Sequence, residues 1–462
     1  MSQSFIHSTL TLFLYEFIGS NMKKTLLSVL ISIGFTGSLH AEDLSGIYAQ
    51  ALAKDPVVNR AKALRDTAFT GIKLSRSSLL PKVSGSISYG ISESESPTGI
   101  NSVSSADTDS LGYRIGLSMS LYDHANWVGL DRAEKVAQQS EAAYSATLQN
   151  LIVRVTTAYL NILREQDNVE FVQAEKRAIE RQLEQTKQRF EVGLTAITDV
   201  HEAQANFDTT VAQEIRAQNA LELRKEQLRE ITGKYYNQVN VLNTESFSPT
   251  APAPNSVDEW LKLAEQSNLD LQAARFAVDI AKQDVSGADA RHLPTLDLSG
   301  SLSGSDLTTN DIDLARTNSS SLGITLNVPI FSGFATTAGS EQARSRFVAE
   351  SETLEQTYRS TVLQVRNGFN NIKANISTIR AFEQAVVSAE SALRATEAGF
   401  DVGTRTIVDV LNSTRNLFNA RKNLSNARYD FITAVVNLKR AAGTLTVADL
   451  NAINQGLIPP AA

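Results

Sequence analysis

The chain writes one nine-residue phrase twice: "VGLTAITDV" at residues 192–200 and "VGTRTIVDV" at residues 402–410, 210 positions apart. At the same offset Phe190 answers Phe400 and Asn206 answers Asn416. In each copy the glycine is placed to end a helix in the left-handed conformation. The aspartate stands where a new helix begins and the dipole favours an acid. Each copy therefore reads as a turn between two antiparallel helices. Working outward, Leu80-Pro81-Lys82-Val83 matches Leu293-Pro294-Thr295-Leu296, and Leu121-Tyr122-Asp123 matches Ile330-Phe331-Ser332. Val155, Tyr159, Asn161 and Ile162 match Val365, Phe369, Asn371 and Ile372. A period this long marks a duplicated half, not a solenoid unit.

The duplication sets the domain plan. Residues 1–41 read as a leader: Met22-Lys23-Lys24 is a basic start, Leu26 to Phe35 an apolar core, and Leu39-His40-Ala41 a cleavage site. A complete signal peptide thus begins at Met22, which places the true start there. Residues 42–248 form the first repeat and 257–443 the second. The proline-rich stretch 249–256, with Pro249, Pro252 and Pro254, links them. Residues 444–462 are a C-terminal segment.

Each repeat has the same order of elements. A helical segment (44–77; 257–290) leads to a β-hairpin (82–122; 294–331). A long helix (125–190; 335–400) and a return helix (198–232; 406–441) follow. In the first hairpin Val83, Ile87, Tyr89 and Ile91 alternate with Ser84, Ser86, Ser88 and Gly90. A Ser/Asp/Gly loop is expected next, and alternation then resumes from Leu111 to Leu121. In the second hairpin Leu296, Leu298 and Leu302, then Leu322, Ile324, Leu326, Val328 and Ile330, keep the period of two. Aliphatic residues on one face and small polar residues on the other are the pattern of an outer-membrane strand. Tyr122, Trp127, Phe331 and Phe334 cluster where strand passes to helix, as interfacial aromatics do. Four strands cannot close a barrel, and open edges in lipid leave backbone groups unsatisfied, so the strands must be shared in an oligomer.

The long segments contain no proline and each spans about 100 Å as a helix. In the second, Tyr358, Val365, Ile372, Ile379, Val386, Leu393 and Phe400 recur every seven residues, with Val362, Phe369 and Ile376 in companion positions. That is a coiled-coil seam. The fold class expected is α+β, mainly α: membrane strands continued by long paired helices.

Enzyme chemistry is not signalled. The chain has no cysteine, which removes thiolate metal sites, disulfides and an acylated N-terminal cysteine. Its five histidines are scattered without ligand spacing, and no phosphate loop or nucleophile elbow occurs. No cofactor or metal is expected. A net charge of −7 argues against nucleic acid as a partner.

The two-fold repeat, the paired hairpins and above all "EAGFDVGTRTIVDVLNSTRNLFNARKNLSNARYDF" (397–431) resemble the TolC family of outer-membrane efflux and secretion channels. The resemblance covers essentially the whole chain after the leader, and the missing lipidated cysteine fits the unacylated branch. It implies a homotrimer with a twelve-stranded barrel in outer-membrane lipid, continued by a periplasmic helical barrel. It also implies docking to a periplasmic adaptor and an inner-membrane pump of RND, ABC or MFS type. The duplicated turns then lie at the periplasmic tip, where polar contacts close the channel and an iris-like movement opens it. Residue by residue, Arg405 matches an arginine that bonds across to the neighbouring coil, with Thr198 and Asp199 as its partners. Phe400 stands where the family often has a tyrosine, so one latch hydroxyl is missing. Asp409 matches the first of two acidic residues at the constriction, and Asn412 replaces the second. Val192, Gly193, Leu194, Val402, Gly403 and Thr404 form the turns that face the adaptor, and the C-terminal segment packs at the tube's middle near residues 233–257.

Bland readings stand beside these. Asp199 and Asp409 suit any helix start, Gly193 and Gly403 any helix end, and Arg405 any solvated turn. Two other function classes also carry long helices: a periplasmic adaptor and a trimeric surface adhesin. An adaptor has no need of two hairpins with a lipid-type face, and an adhesin runs its helices parallel across chains.

Overall fold

The structure is a computed structural model that describes residues 42–99 and 102–460; the leader expected at 1–41 lies outside them. Helix α1 (Leu44–Lys54) and helix α2 (Pro56–Ser77) divide what reads as one helical segment. The cause is Asp55. Its carboxylate accepts the Val58 N–H (3.1 Å) as an N-cap, and Pro56 occupies the first helical position. The second half repeats the break in helices α5 (Val257–Ser267) and α6 (Leu269–Ala290), where Asn268 accepts the Leu271 N–H at 2.8 Å. Apolar spacing runs through both breaks, so periodicity alone does not reveal them.

Strands β1 (Lys82–Gly99) and β2 (Ser102–Tyr122) form the first hairpin; β4 (Thr295–Thr309) and β6 (Thr317–Asn327) form the second. All pairings are antiparallel in the order β1-β2-β4-β6, and the short β5 (Ile312–Asp313) hooks onto the end of β4. The first hairpin differs from expectation, because the Ser/Asp/Gly stretch is strand and not loop. Glu93 pairs with Asp107 and Ser92 with Thr108, so the ladder runs unbroken past the last aliphatic pairs. Backbone register, once fixed by the apolar half, propagates through residues of poor strand propensity. Strands of 18 and 21 residues exceed the roughly ten that a bilayer requires.

Register sorts the faces across all four strands. Ile87 lies opposite Tyr113, Ile115 opposite Leu302, and Leu298 opposite Ile324. Ser86 lies opposite Arg114, Arg114 opposite Ser303, and Ser303 opposite Ser319. Among the described residues the apolar face has no cover: Ile87 is 82% exposed, Leu322 77% and Ile324 64%, whereas Val328 and Ile330, expected to continue the alternation, lie past the end of β6. Strands β1 and β6 each have a neighbour on one side only among the described residues.

Below the sheet run two very long helices, α3 (His124–Glu191, 68 residues) and α7 (Ala335–Asp401, 67 residues). Each packs along its return helix, α4 (Ile197–Thr232) or α8 (Ile407–Ala441), and both lie against α6 at the sheet end. Among the described residues no helix is long and apolar enough to cross a membrane.

The main core lies at the waist. Leu151, Val155, Tyr159 and Leu163 of α3 meet Val365, Phe369, Ile372 and Ile379 of α7 and Ile432, Val436 and Leu438 of α8. Those α7 positions are the middle of the heptad seam. At Gly368 helix α7 comes close to α8, since a Cβ there would stand 3.2 Å from the Leu438 Cα. A short strand pair joins this core: β3 (Val241–Leu242) pairs with β7 (Leu457–Ile458), which follows helix α9 (Val447–Gln455). The C-terminal segment therefore meets the residues just before the proline-rich linker. A second, smaller cluster lies far down the coils: Ile179, Leu183, Ala203, Ile407 and Leu411, with Phe207 and Phe400 against them.

Candidate functional site

The two turns sit directly below this small cluster. Both long helices end in a Schellman motif. Leu194 N–H donates to the Arg189 carbonyl (2.8 Å) and Gly193 N–H to that of Phe190 (2.9 Å). Thr404 and Gly403 repeat the pattern on Gly399 (2.8 Å) and Phe400 (3.1 Å). Gly193 has φ 77° and Gly403 φ 76°, with open space where a Cβ would go, so backbone conformation alone demands glycine. Val192, Leu194 and Val402 project into solvent at 70–74% exposure beside them.

The return helices start differently in the two copies. In the second, Thr406 and Asp409 form a reciprocal capping box. Asp409 N–H donates to Thr406 Oγ1 (3.2 Å), and the carboxylate accepts from the Thr406 N–H and hydroxyl (both 3.0 Å). Those bonds from Thr406, with Arg405 nearby, hold the Asp409 carboxyl below the usual carboxylate range. In the first copy Ala196 occupies the N-cap and has no side chain to offer. Thr195 donates instead to the Asp199 carboxylate.

The residues expected at the site fall into place unevenly. Asp199 is bonded within its own turn, and Thr198 and Asn412 are exposed. Arg405 has no carboxylate at ion-pair distance within its own chain, among the described residues. Its stem lies along α7 over Gly399, where a Cβ would come within 2.8 Å of Arg405 Cγ. Phe400 is half-buried and faces an arginine that the sequence did not single out. Arg189, from the last turn of α3, has its guanidinium carbon 4.5 Å from the Phe400 ring centroid. Arg189 also donates to the carbonyls of Phe400 (Nη1, 3.4 Å) and Asp401 (Nη2, 3.2 Å), and its Nη1 lies 4.0 Å from the Asp401 carboxylate. A second cross-tie, Arg415 Nη2 to Asn206 Oδ1 at 2.6 Å, joins α8 to α4. One sequence signal for Arg189 existed: its counterpart at the repeat offset is Gly399, so the two copies differ there in charge and bulk.

Higher up, Asp167 on α3 accepts from Ser425 and from the Tyr429 hydroxyl (2.8 Å) on α8. Burial pushes this carboxyl above its ordinary range against the pull of those two bonds. Among the described residues no group of His, Cys, Asp and Glu could hold a metal ion. Fixed turns, solvent-facing arginine and carboxylate, and polar ties between coils can carry electrostatics and movement. They do not enclose a dry reaction pocket.

Comparison with known proteins places the chain in a family. The family model "Outer membrane efflux protein" matches residues 47–234 and 260–444, one span in each repeat. The chain is 47% identical over 444 residues to the outer membrane protein TolC of Vibrio cholerae, covering 94% of this chain and 99% of that protein. It is 32% identical over 414 residues to the alkaline protease secretion protein AprF of Pseudomonas aeruginosa, covering 88% and 85%. Among solved structures, the CmeC outer membrane channel of Campylobacter jejuni shares the fold with a TM-score of 0.74. Identity there is 17%, over 93% of this chain and 94% of that one. With both repeats matched and the likeness to TolC running the length of the described chain, this protein belongs to the outer membrane efflux protein family.

Proposed function

We propose that three copies assemble into a passive exit duct: twelve strands close a barrel in the outer membrane, and the paired helices continue it through the periplasm. In this reading a periplasmic adaptor docks at the turns and an inner-membrane pump of RND, ABC or MFS type drives drugs, small solutes or secreted proteins through. The observation that carries it is the four-stranded sheet, uncovered on its apolar face and open at both edges among the described residues, joined to two helices of about 100 Å, each with an antiparallel return helix. An apolar face of this kind suits lipid, and open edges in lipid require strand partners. Antiparallel coils within one chain speak against the adhesin, and two lipid-type hairpins against the adaptor.

The turns form the gate. Arg405, with no carboxylate at ion-pair distance among the described residues of its own chain, is placed to bond Asp199 or Thr198 of a neighbouring copy, a charge-assisted contact repeated by symmetry. Asp409 supplies one ring of three carboxylates at the constriction, which favours cations. With asparagine at 412 there is no second ring, so cation preference is modest. Because its bonds hold the Asp409 carboxyl below the ordinary range, the preference persists as pH falls from 7 to about 4, where an ordinary aspartate is already about half protonated. Reversal potentials across planar bilayers test this: Asp409→Ala shifts selectivity toward neutrality, and an unchanged potential refutes the ring.

A further inference from the structure

We propose that Arg189 is a strut within each subunit that holds the two turns together and so biases the gate toward its closed state. The inference rests on the duct reading above. It starts from an electrostatic deficit: the last turn of α7 contains no basic residue, although its unsatisfied carbonyls carry roughly half a negative charge. Arg189 meets that deficit from another helix. One guanidinium donates to two of the last carbonyls of α7, lies beside the Asp401 carboxylate, and sits over the Phe400 ring. Only arginine has the fork and the flat face to do both, because lysine presents a compact, strongly hydrated charge.

The strut joins parts that gating must separate. Arg189 belongs to the α3–α4 coil, and Phe400 and Asp401 belong to the α7–α8 coil. A groove of about 360 Å³ lined by Gln185, Gln188, Val192 and Asp401 leaves the arginine in reach of solvent, so it can disengage without leaving a buried charge. The duplication permits only one strut. At the matching position in the other copy an arginine would begin with a Cβ 2.8 Å from Arg405 Cγ, so Gly399 keeps that space for Arg405. Phe400 thus gains a role that the missing tyrosine hydroxyl does not touch: its ring face is the seat of the guanidinium.

Single-channel recording of purified trimers tests the proposal. Wild type is expected mainly in a low-conductance state. Arg189→Ala raises open-state occupancy about tenfold, the loss of one exposed cation–π contact and one charge-assisted bond per subunit. Arg189→Lys recovers part of the closure and Phe400→Leu loses part. Heat-resistant trimers remain in every variant, which separates gating from folding. The chain has no cysteine, so Arg189→Cys with Asp401→Cys provides a rescue: leaky when reduced, closed again when a short bifunctional thiol reagent bridges the pair. Wild-type conductance in Arg189→Ala, or bridging that does not restore closure, overturns the strut and leaves the duct standing. A wild type that forms no channel removes the duct reading itself, and the strut with it.

Discussion

Two turns with nearly the same letters differ at single residues in ways that set their roles. Thr195 and Arg405 are counterparts, as are Ala196 and Thr406. In the first turn the threonine sits one place early and ties up Asp199. In the second the threonine sits at the N-cap, ties up Asp409, and leaves the preceding place to an arginine. The glycines and aspartates were legible in the sequence because their reasons are local: a left-handed φ and a helix start. Arg189 was not legible, since its partners stand more than 200 residues away and are largely backbone carbonyls. At this scale Gly403→Ala is expected to destabilise the tip by about 1–2 kcal/mol, purely through a left-handed backbone in a residue with a Cβ. No atom lies within 4 Å to clash. Limited proteolysis at the turn should quicken in that variant and stay unchanged in Val402→Ala, a control at an exposed residue with φ −93°.

Among the elements, the long helices were legible almost to the residue. Proline-free runs with an unbroken seven-residue apolar repeat leave few alternatives, and the buried Val365, Ile372 and Ile379 occupy the expected seam. Nearer the tip the same seam is only half-buried at Val386 and Leu393, where the main core has ended. Strand length was not legible, because alternation of Glu, Asp and Ser beyond the aliphatic pairs carries no burial signal. The polar tie at Asp167 also escaped, as it joins α3 to α8 from opposite halves. Its pH dependence follows from the direction of its shift. Burial raises the folded-state pKa, so the folded chain holds this proton at higher pH than the unfolded chain does. The site therefore favours folding increasingly as pH falls through the raised value, and opposes it at neutral pH. Asp167→Asn, which keeps an acceptor for Ser425 and Tyr429, should raise the apparent melting temperature at pH 7 and lose that advantage near pH 4. An advantage that grows on acidification would contradict the assignment.

For the whole molecule, everything turns on which face of the sheet meets lipid, and two positions three apart in one strand distinguish the faces. Ile324 lies on the apolar face and Ser321 on the serine face of β6. Ile324→Lys places a charge in lipid at a cost of about 2–4 kcal/mol per chain near the midplane. Ser321→Lys places the same charge in the lumen, where water solvates it. Outer-membrane fractions should lose the first variant and retain the second; equal recovery of both would contradict a lipid-facing apolar band. The repeat, the strand alternation and the helix lengths made most of this architecture readable from sequence. The number of copies that would share these strands stayed unreadable, since the edges of one chain do not fix it.

The waist holds a further consequence. Glu42 bridges to Val239, Leu44 N–H donates to Asn454 Oδ1 (2.9 Å), Asn454 donates to Asp43 (3.0 Å), and Leu457 pairs with Leu242. The described chain thus leaves the waist, travels to both mouths twice, and returns to where it set out. Topologically it is a nearly closed loop of two like halves, with the 249–256 linker and the meeting of its two ends on the same girdle. Which half comes first is then a convention of the gene rather than a requirement of the fold: a chain joined across its present ends and opened at the linker would trace the same path.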